Sequence, residues 1–274
     1  AYNPQIDMQP LWGPAEGRTL TDLLCEELGV AAADILDRDL QLVVRQAPAL
    51  VGPDGEFFLA PRIDDLECAA ATLLAFLDAA AETDSACAPV WAMLDNEEVG
   101  SSSRQGAQSS FLRDVLDRIL EAVPHSAQAG PRALANSFLL SADNGHAVHP
   151  NFAAKSDPAA PVRLGGGVVL KYNASQKYTT NALSGGVFRA VCAKAGVPVQ
   201  AFTNGGEERG GSSVGNLVCH SLPIPMADIG LPQLAMHAAV ETAAVADVNA
   251  MIRAVAAFYR VHLRALGDGV YTLE

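Results

Sequence analysis

The chain is short of positive charge. Lys and Arg number 18 against 31 Asp and Glu, a formal net charge of -13 over 274 residues. Nucleic-acid binding needs clustered cations to meet phosphates, so nucleic acid is excluded as the main partner. A small acidic ligand is not, because one local basic side chain can line the pocket of an acidic chain. Cysteine pairs are also lacking. Cys25, Cys68, Cys87, Cys192 and Cys219 are odd in number, widely spaced and form no CxxC. That removes a disulfide framework or zinc knuckle and makes a reducing cytoplasm the expected location. No long apolar run is present: the stretch Ala69 to Ala81 is short and carries Asp78. It reads as a buried helix, and no membrane partner is expected. No signal peptide opens the sequence; it starts at Ala1, and AYNPQIDMQPLWG has the character of extended mid-protein chain. Internal repeats and low-complexity tracts are missing too. The Gly-rich stretch Gly205 to Gly215, expected as the most mobile loop, lacks Walker A spacing, and Gly165-Gly166-Gly167 is no dinucleotide fingerprint.

What is there is apolar residue in quantity. Half the sequence is hydrophobic, enough for one large or two modest domains. Helical signals cover Thr21 to Leu28, with Thr21 as cap and Gly29 as stop, and the run through Leu66, Ala69, Ala70, Leu73, Leu74 and Leu77. Further helices are predicted over Phe111 to Ala122 and Leu183 to Ala195, and a long closing helix from His237 to Leu266. Strand signals cover Asp39 to Arg45 and Glu56 to Leu59, bracketing the turn Gly52-Pro53-Asp54-Gly55. They recur at Ala88 to Asn96, Ser137 to Ala142, Gly166 to Tyr172, Val197 to Phe202 and Ile224 to Ile229. Strands alternating with helices predict an α/β fold, a mixed sheet flanked by helices on both faces.

Acids and a histidine repeatedly fall where these strand signals stop. Asp64 follows FFLAPRI, Glu97 and Glu98 follow VWAMLDN, Asp143 follows SFLLSA and His237 follows DIGLPQLAM. Sites in open α/β sheets gather beyond the carboxyl ends of the strands. Asp, Glu, Asp and His delivered there would form a carboxylate-rich site suited to Zn²⁺, Mn²⁺ or Co²⁺. Each residue also has a plain structural use: Asp64 could cap the helix near Leu66, Glu97-Glu98 could be a solvated turn, and His237 a hydrogen-bonded helix-start histidine. Two adjacent acids suit water activation, one holding metal while its neighbour takes the proton.

Five blocks make the pattern specific: APRIDDL, DNEEVGSSSRQGA, SFLLSADNGHAVHPNF, KYNASQKYTTNA and GLPQLAMHAAVE. In this order they resemble the signature blocks of the aspartyl aminopeptidase family, and the likeness runs from about Tyr2 to Phe258. The resemblance implies a phosphorylase/hydrolase-like metallopeptidase domain, two divalent ions (zinc, with Mn or Co as alternatives), and an oligomeric full-length protein. It makes residues 1–274 the C-terminal portion of the catalytic domain and the substrate a peptide with a free N-terminus. Asp64 matches the bridging aspartate, Glu97 the general base, Glu98 and His237 ligands of one metal and Asp143 a ligand of the other. Lys171 and Tyr178 match positions that hold the substrate's N-terminal residue, and His146 a pocket histidine that does not ligate. His149 matches a structural histidine nearby; spacing alone would have paired it with His146 on a metal, but a histidine turn bonded to backbone suits it better.

This sequence departs from the family's pattern in three places. Asp65 stands where Asn is usual, TNGGEERGGSS replaces a more regular segment, and the family's earlier His-x-Asp ligand motif and dimerisation domain have no counterpart here. His125 and His220 fall in loops and His262 in the closing helix, so none reads as a substitute ligand. The expected activity is removal of N-terminal residues, with Asp and Glu preferred. A silent assembly or binding paralogue of the same fold and a neutral-specificity aminopeptidase are the alternatives.

Overall fold

The computed structural model describes residues 2–82, 87–123, 126–204, 211, 213–267 and 269–274. His125 and most of the Gly205 to Gly215 loop lie outside the described residues. The chain divides into two compact units, Ala1–Val43 and Val44–Glu274. In the first, helix α1 (Pro4–Asp7) is capped by the Asn3 side chain, and α2 (Leu20–Leu28) begins in a capping box. Thr19 Oγ1 accepts from the Asp22 N–H at 3.1 Å, and Asp22 Oδ2 accepts from the Thr19 N–H at 2.9 Å. The cap is therefore Thr19, not Thr21. Only a residue three before an acid can exchange both bonds. Gly29, at φ 66, closes the helix as expected.

The second unit opens with the hairpin β1 (Ala49–Val51) and β2 (Phe57–Ala60), followed by α3 (Ile63–Ala80), α4 (Phe111–Glu121) and α5 (Ala129–Ala135). Next come β3 (Leu139–Ala142), β4 (Gly145–His146), β5 (Val168–Lys171), α6 (Ala182–Ala195), β6 (Val199–Phe202) and α7 (Val214–Val218). The chain closes with β7 (Met226–Gly230), β8 (Pro232–Leu234), β9 (Glu241–Ala244), α8 (Val245–Arg260) and the hairpin β10 (Leu263–Gly267) and β11 (Val270–Leu273). The strands form a four-stranded sheet ordered β3-β7-β5-β6, a five-stranded sheet ordered β1-β2-β9-β8-β4, and the terminal hairpin. Both larger sheets are mixed: β3 and β7 run parallel, β5 and β7 antiparallel, β4 and β8 parallel, β8 and β9 antiparallel. The mixed α/β class is as expected; the division into separate sheets was not read from the sequence.

Helices cover both faces of the four-stranded sheet. On one, Cys68, Ala71 and Ala75 of α3, Phe188 and Cys192 of α6, and Ala250, Met251 and Ala254 of α8 pack on Val168, Leu170, Ala227 and Ile229. The small residues at the α3–α8 crossing let the two helices come close. On the other face, Leu112 and Leu116 of α4 and Val218 of α7 pack with Leu139 and Met226. Alternation along β7 sorts its side chains between these cores. Asp228, turned to the second face, is buried and accepts bonds from Thr179 and Ser213.

Two expected strands are absent among the described residues, and the closing helix is shorter than expected. Asp39 to Arg45 forms no strand, and Leu40, Leu42 and Val43 are exposed. Ala88 to Asn96 also forms no strand; it is held by side chains instead. The Trp91 indole donates to Thr72 Oγ1 at 3.0 Å, Tyr259 donates its hydroxyl to the Val90 carbonyl at 3.0 Å, and Leu94 packs in the second core. The closing helix is interrupted: Glu241–Ala244 pairs with β2, and the helix proper spans Val245–Arg260. Alanine-rich sequence favours a helix locally, but a ladder on β2 was available and won.

Candidate metal centre

The site sits where the two large sheets meet. Residues 139–147 run beside 226–233 without a break. After the β3–β7 pairing, the Asp143 N–H donates to the Ile229 carbonyl at 3.1 Å and the Gly145 N–H to the Leu231 carbonyl at 2.8 Å, after which β4 pairs with β8. Asp143 and Asn144 therefore fall on the passage from one sheet to the other. Gly230 faces them, and only glycine fits there, because a Cβ would run into the Asp143 carbonyl oxygen. Asp64 arrives from the end of β2, and His237 from the turn after β8, at φ 66. The Asp64 side chain makes no capping bond to α3: its Oδ2 lies beside His237 Nε2 instead, and the N-cap residue of the helix is Arg62, with no side-chain bond. The Asp64–Asp65 peptide is cis.

Two clusters share Asp64. In the first, His237 Nε2 lies 3.1 Å from Asp64 Oδ2 and 3.0 Å from Glu98 Oε2. In the second, Asp64, Asp65 and Asp143 each offer an oxygen within 4.8 Å of the others. Among the described residues, neither cluster includes a second imidazole. Glu97 opens a 3₁₀ turn, Glu97–Val99, that follows Asn96 at φ 61. The strand-end rule thus holds for Asp64, Asp143 and His237 but not for the glutamates, which follow irregular chain.

Carboxyls drawn together out of water resist ionising. Burial first, then Asp143, raises both Asp64 and Asp65. The same causes, with Glu98, push Glu97 to about 7. The ammonium of Lys171 opposes them in each case. Lys171 ends β5 and is 2 % exposed; its Nζ lies 3.0 Å from Asp143 Oδ2 and 2.7 Å from the Asn144 carbonyl oxygen. Burial alone would lower its pKa, but Asp143 and Tyr178 overcome that and raise it. The Tyr178 ring is buried, 5.5 Å from Nζ. His146 is exposed on β4. His149 Nδ1 accepts from the Asn151 N–H at 3.1 Å, the backbone-bonded turn expected of it.

Sequence reading missed a buried polar network around these residues. Glu241 is 2 % exposed and accepts the N–H of Asp64 on Oε2 at 3.0 Å and the N–H of His237 on Oε1 at 2.7 Å. Asn144 Nδ2 donates to Glu67 Oε2 and to Gln233 Oε1, each at 2.7 Å. Burial pushes Glu67 to about 8, against the Asn144 bond. Glu241 lies in the quoted block GLPQLAMHAAVE, and the signal available was an acid set among strand-forming residues, Val240 before it and Thr242 after.

The donor set suits a divalent ion of the zinc type. Two carboxylates and an imidazole converge in one cluster, three carboxylates in the other, and Asp65 Oδ1 is a buried oxygen with no hydrogen-bond partner. The sequence pattern of the aminopeptidase I zinc metalloprotease family, M18, matches residues 13–259. The chain belongs to the M18 family. The resemblance read from its five blocks is borne out at that level. A probable M18 family aminopeptidase 2 of Clostridium acetobutylicum is 38 % identical over 264 residues, covering 94 % of this chain and 60 % of its own. Its namesake in Clostridium novyi is 40 % identical over 250 residues, 89 % of this chain and 57 % of its own. The chain thus spans about 60 % of the length of the curated M18 relatives it matches. The crystal structure of prApe1 superposes with a TM-score of 0.79 at 26 % identity over 88 % of this chain and 51 % of that one. The S. cerevisiae mApe1 dodecamer gives 0.77 at 25 % identity over 88 % and 54 %.

Proposed function

We propose that this M18 chain carries the catalytic portion of an aminopeptidase that hydrolyses the N-terminal peptide bond with activated water. The observation that carries this reading is the convergence of Asp64, Glu98 and His237, with Glu97 adjacent in sequence and raised to about 7. Two divalent ions, zinc first and Mn or Co as alternatives, would be held by Asp64, Glu98 and His237 and by Asp64 with Asp143, supplying Lewis acidity to carbonyl and water. Glu97 accepts the proton of the attacking water on its carboxylate and returns it to the leaving amine nitrogen. A base near 7 serves both transfers, because it can hold or release the proton at neutral pH.

Preference for N-terminal Asp or Glu is the finer part of the proposal. Lys171 is a cation whose charge is felt by Asp64, Asp65 and Glu97. It would pair with an acidic substrate side chain once Asp143 serves a metal, with Tyr178 and His146 lining the same pocket. A neutral specificity is favoured instead by the present engagement of Lys171 with Asp143. A homo-oligomeric full-length protein is proposed by likeness to the mApe1 dodecamer. No described helix is long and apolar enough to cross a membrane; a cytoplasmic location is proposed on the odd number and wide spacing of the cysteines, which form no CxxC. Hydrolysis of Asp-, Glu- and Leu-anilides with added Zn²⁺, Mn²⁺ or Co²⁺ tests all of this. Acid-selective, chelator-sensitive turnover is expected. Equal rates on all three support the neutral reading, and no turnover with any ion removes the enzyme reading in favour of a silent binding paralogue.

A further inference from the structure

We infer that Glu241 is a positioning residue for the metal centre: its single carboxylate sets the main chain of two ligands, Asp64 and His237, relative to each other. The inference rests on the reading of those two residues as metal ligands. They come from different places, the end of β2 and the turn after β8, and the strands do not by themselves fix the turn that carries His237. Glu241 stands opposite Ala60 in the β2–β9 register, just before the chain leaves β2 for Asp64. Its two oxygens are divided between the two ligand backbones, Oε2 taking the Asp64 N–H at 3.0 Å and Oε1 the His237 N–H at 2.7 Å. Both oxygens are so engaged, 2 % of the residue is exposed, and Glu241 belongs to neither cluster of candidate ligands among the described residues.

His237 needs such a hold. Its φ of 66 is a left-handed conformation that a side-chain-bearing residue seldom adopts without support. The chemistry also selects a carboxylate. Two N–H donors arriving on two separate oxygens require two acceptors, whereas an amide offers one acceptor and would turn its own N–H₂ toward the other donor. Behind Glu241 the same network continues. Gln233 Nε2 lies 3.4 Å from Oε1, and Gln233 in turn accepts from Asn144, the neighbour of Asp143. Partners one bond removed from a metal commonly change its affinity by about 10- to 100-fold when altered.

The test is Co²⁺ titration, read by visible absorption and calorimetry, of the protein and of Glu241→Gln and Glu241→Asp. Glu241→Gln should weaken binding at the Asp64–Glu98–His237 site by about 10- to 100-fold while keeping the same number of ions at saturation, with a changed ligand-field band. Glu241→Asp, which keeps the charge but shortens the reach, should fall between and covers the case in which the amide variant does not fold. Anilide turnover should recover at saturating Co²⁺ with KM unchanged. Co²⁺ affinity within twofold of the parent and an unaltered band would overturn the inference. So would a reduced number of sites at unchanged affinity, the mark of a role in folding alone. If the parent binds Co²⁺ but hydrolyses no anilide, the aminopeptidase reading falls and the positioning role stands. A parent that binds no Co²⁺ removes both.

Discussion

The ammonium of Lys171 lies 3.0 Å from Oδ2 of Asp143, with side-chain exposures of 2 % and 15 %. Breaking a buried pair from one side strands the other charge and costs on the order of 3–5 kcal/mol. Lys171→Met, which preserves the apolar stem volume, should therefore lower the melting temperature of metal-free protein by several degrees. Added Zn²⁺ should recover much of that loss, since a cation would then meet Asp143. On the proposed pocket chemistry, activity toward N-terminal Asp and Glu should drop far more than toward Leu. Equal losses on the three anilides would show that Lys171 serves Asp143 alone.

Glu97→Gln removes the proton acceptor while keeping its shape. Turnover should fall by roughly 10²- to 10⁴-fold, the usual worth of a positioned base. Because Glu97 belongs to neither ligand cluster, metal affinity measured by calorimetry should change little. A variant keeping more than a tenth of parental kcat would show that the proton goes elsewhere.

How much of this was legible follows from which interactions are local. The α3 run of small apolar residues and the stop at Gly29 depend on neighbours a few positions away, and both read correctly. The placement of Asp64, Asp143 and His237 was legible because each follows the end of a strand, and strands end where apolar runs end. Ala88 to Asn96 misled for the complementary reason. A strand exists only with a partner, and the apolar pattern names none; here Thr72 and Tyr259, far along the chain, hold the segment without a ladder. The alanines around Glu241 read as helix because their pairing partner, β2, lies far back in the sequence. Glu241, Gln233 and Asn144 escaped notice since each is polar in a position whose burial only the tertiary fold reveals.

Asp247 gives the glycine triplet a structural purpose and a pH signature. This buried side chain, near the start of α8, accepts the N–H of Gly165 on Oδ2 and of Gly167 on Oδ1, each at 2.7 Å. Burial raises its pKa from 3.8 to about 6, against the lowering effect of those two bonds. The sign follows from linkage. A carboxyl whose folded pKa exceeds its unfolded value favours the fold most when protonated, below about pH 4, and that contribution is lost as pH rises toward 6. Asp247→Asn does not titrate, and it turns an N–H₂ toward one backbone donor, costing about 1–3 kcal/mol. In urea unfolding, the stability advantage of the parent over the variant should shrink between pH 4 and 6 and stay flat above. An advantage growing with pH would mean that Asp247 is held ionised.

The two clusters should load unequally. Asp64, Glu98 and His237 offer an imidazole with two carboxylates, a set that Zn²⁺ and Co²⁺ favour, whereas Asp64, Asp65 and Asp143 offer oxygen alone. Oxygen-only sites suit harder ions such as Mn²⁺, and here binding must also displace protons from carboxyls that burial has raised. Titration with Zn²⁺ near pH 7 should thus show one tight step and one weaker step that tightens as pH rises. His237→Ala should abolish the tight step. Asp143→Asn should remove the weak step and leave the tight one nearly as it was, because Asp143 belongs only to the second cluster. Asp65→Asn separates two uses of that side chain: a weaker second step would make Asp65 a ligand, and an unchanged one would leave it a neutral neighbour. Two equally tight Zn²⁺ ions per chain, both lost with His237→Ala, would show that the clusters act as one indivisible site and that the division by donor type is wrong.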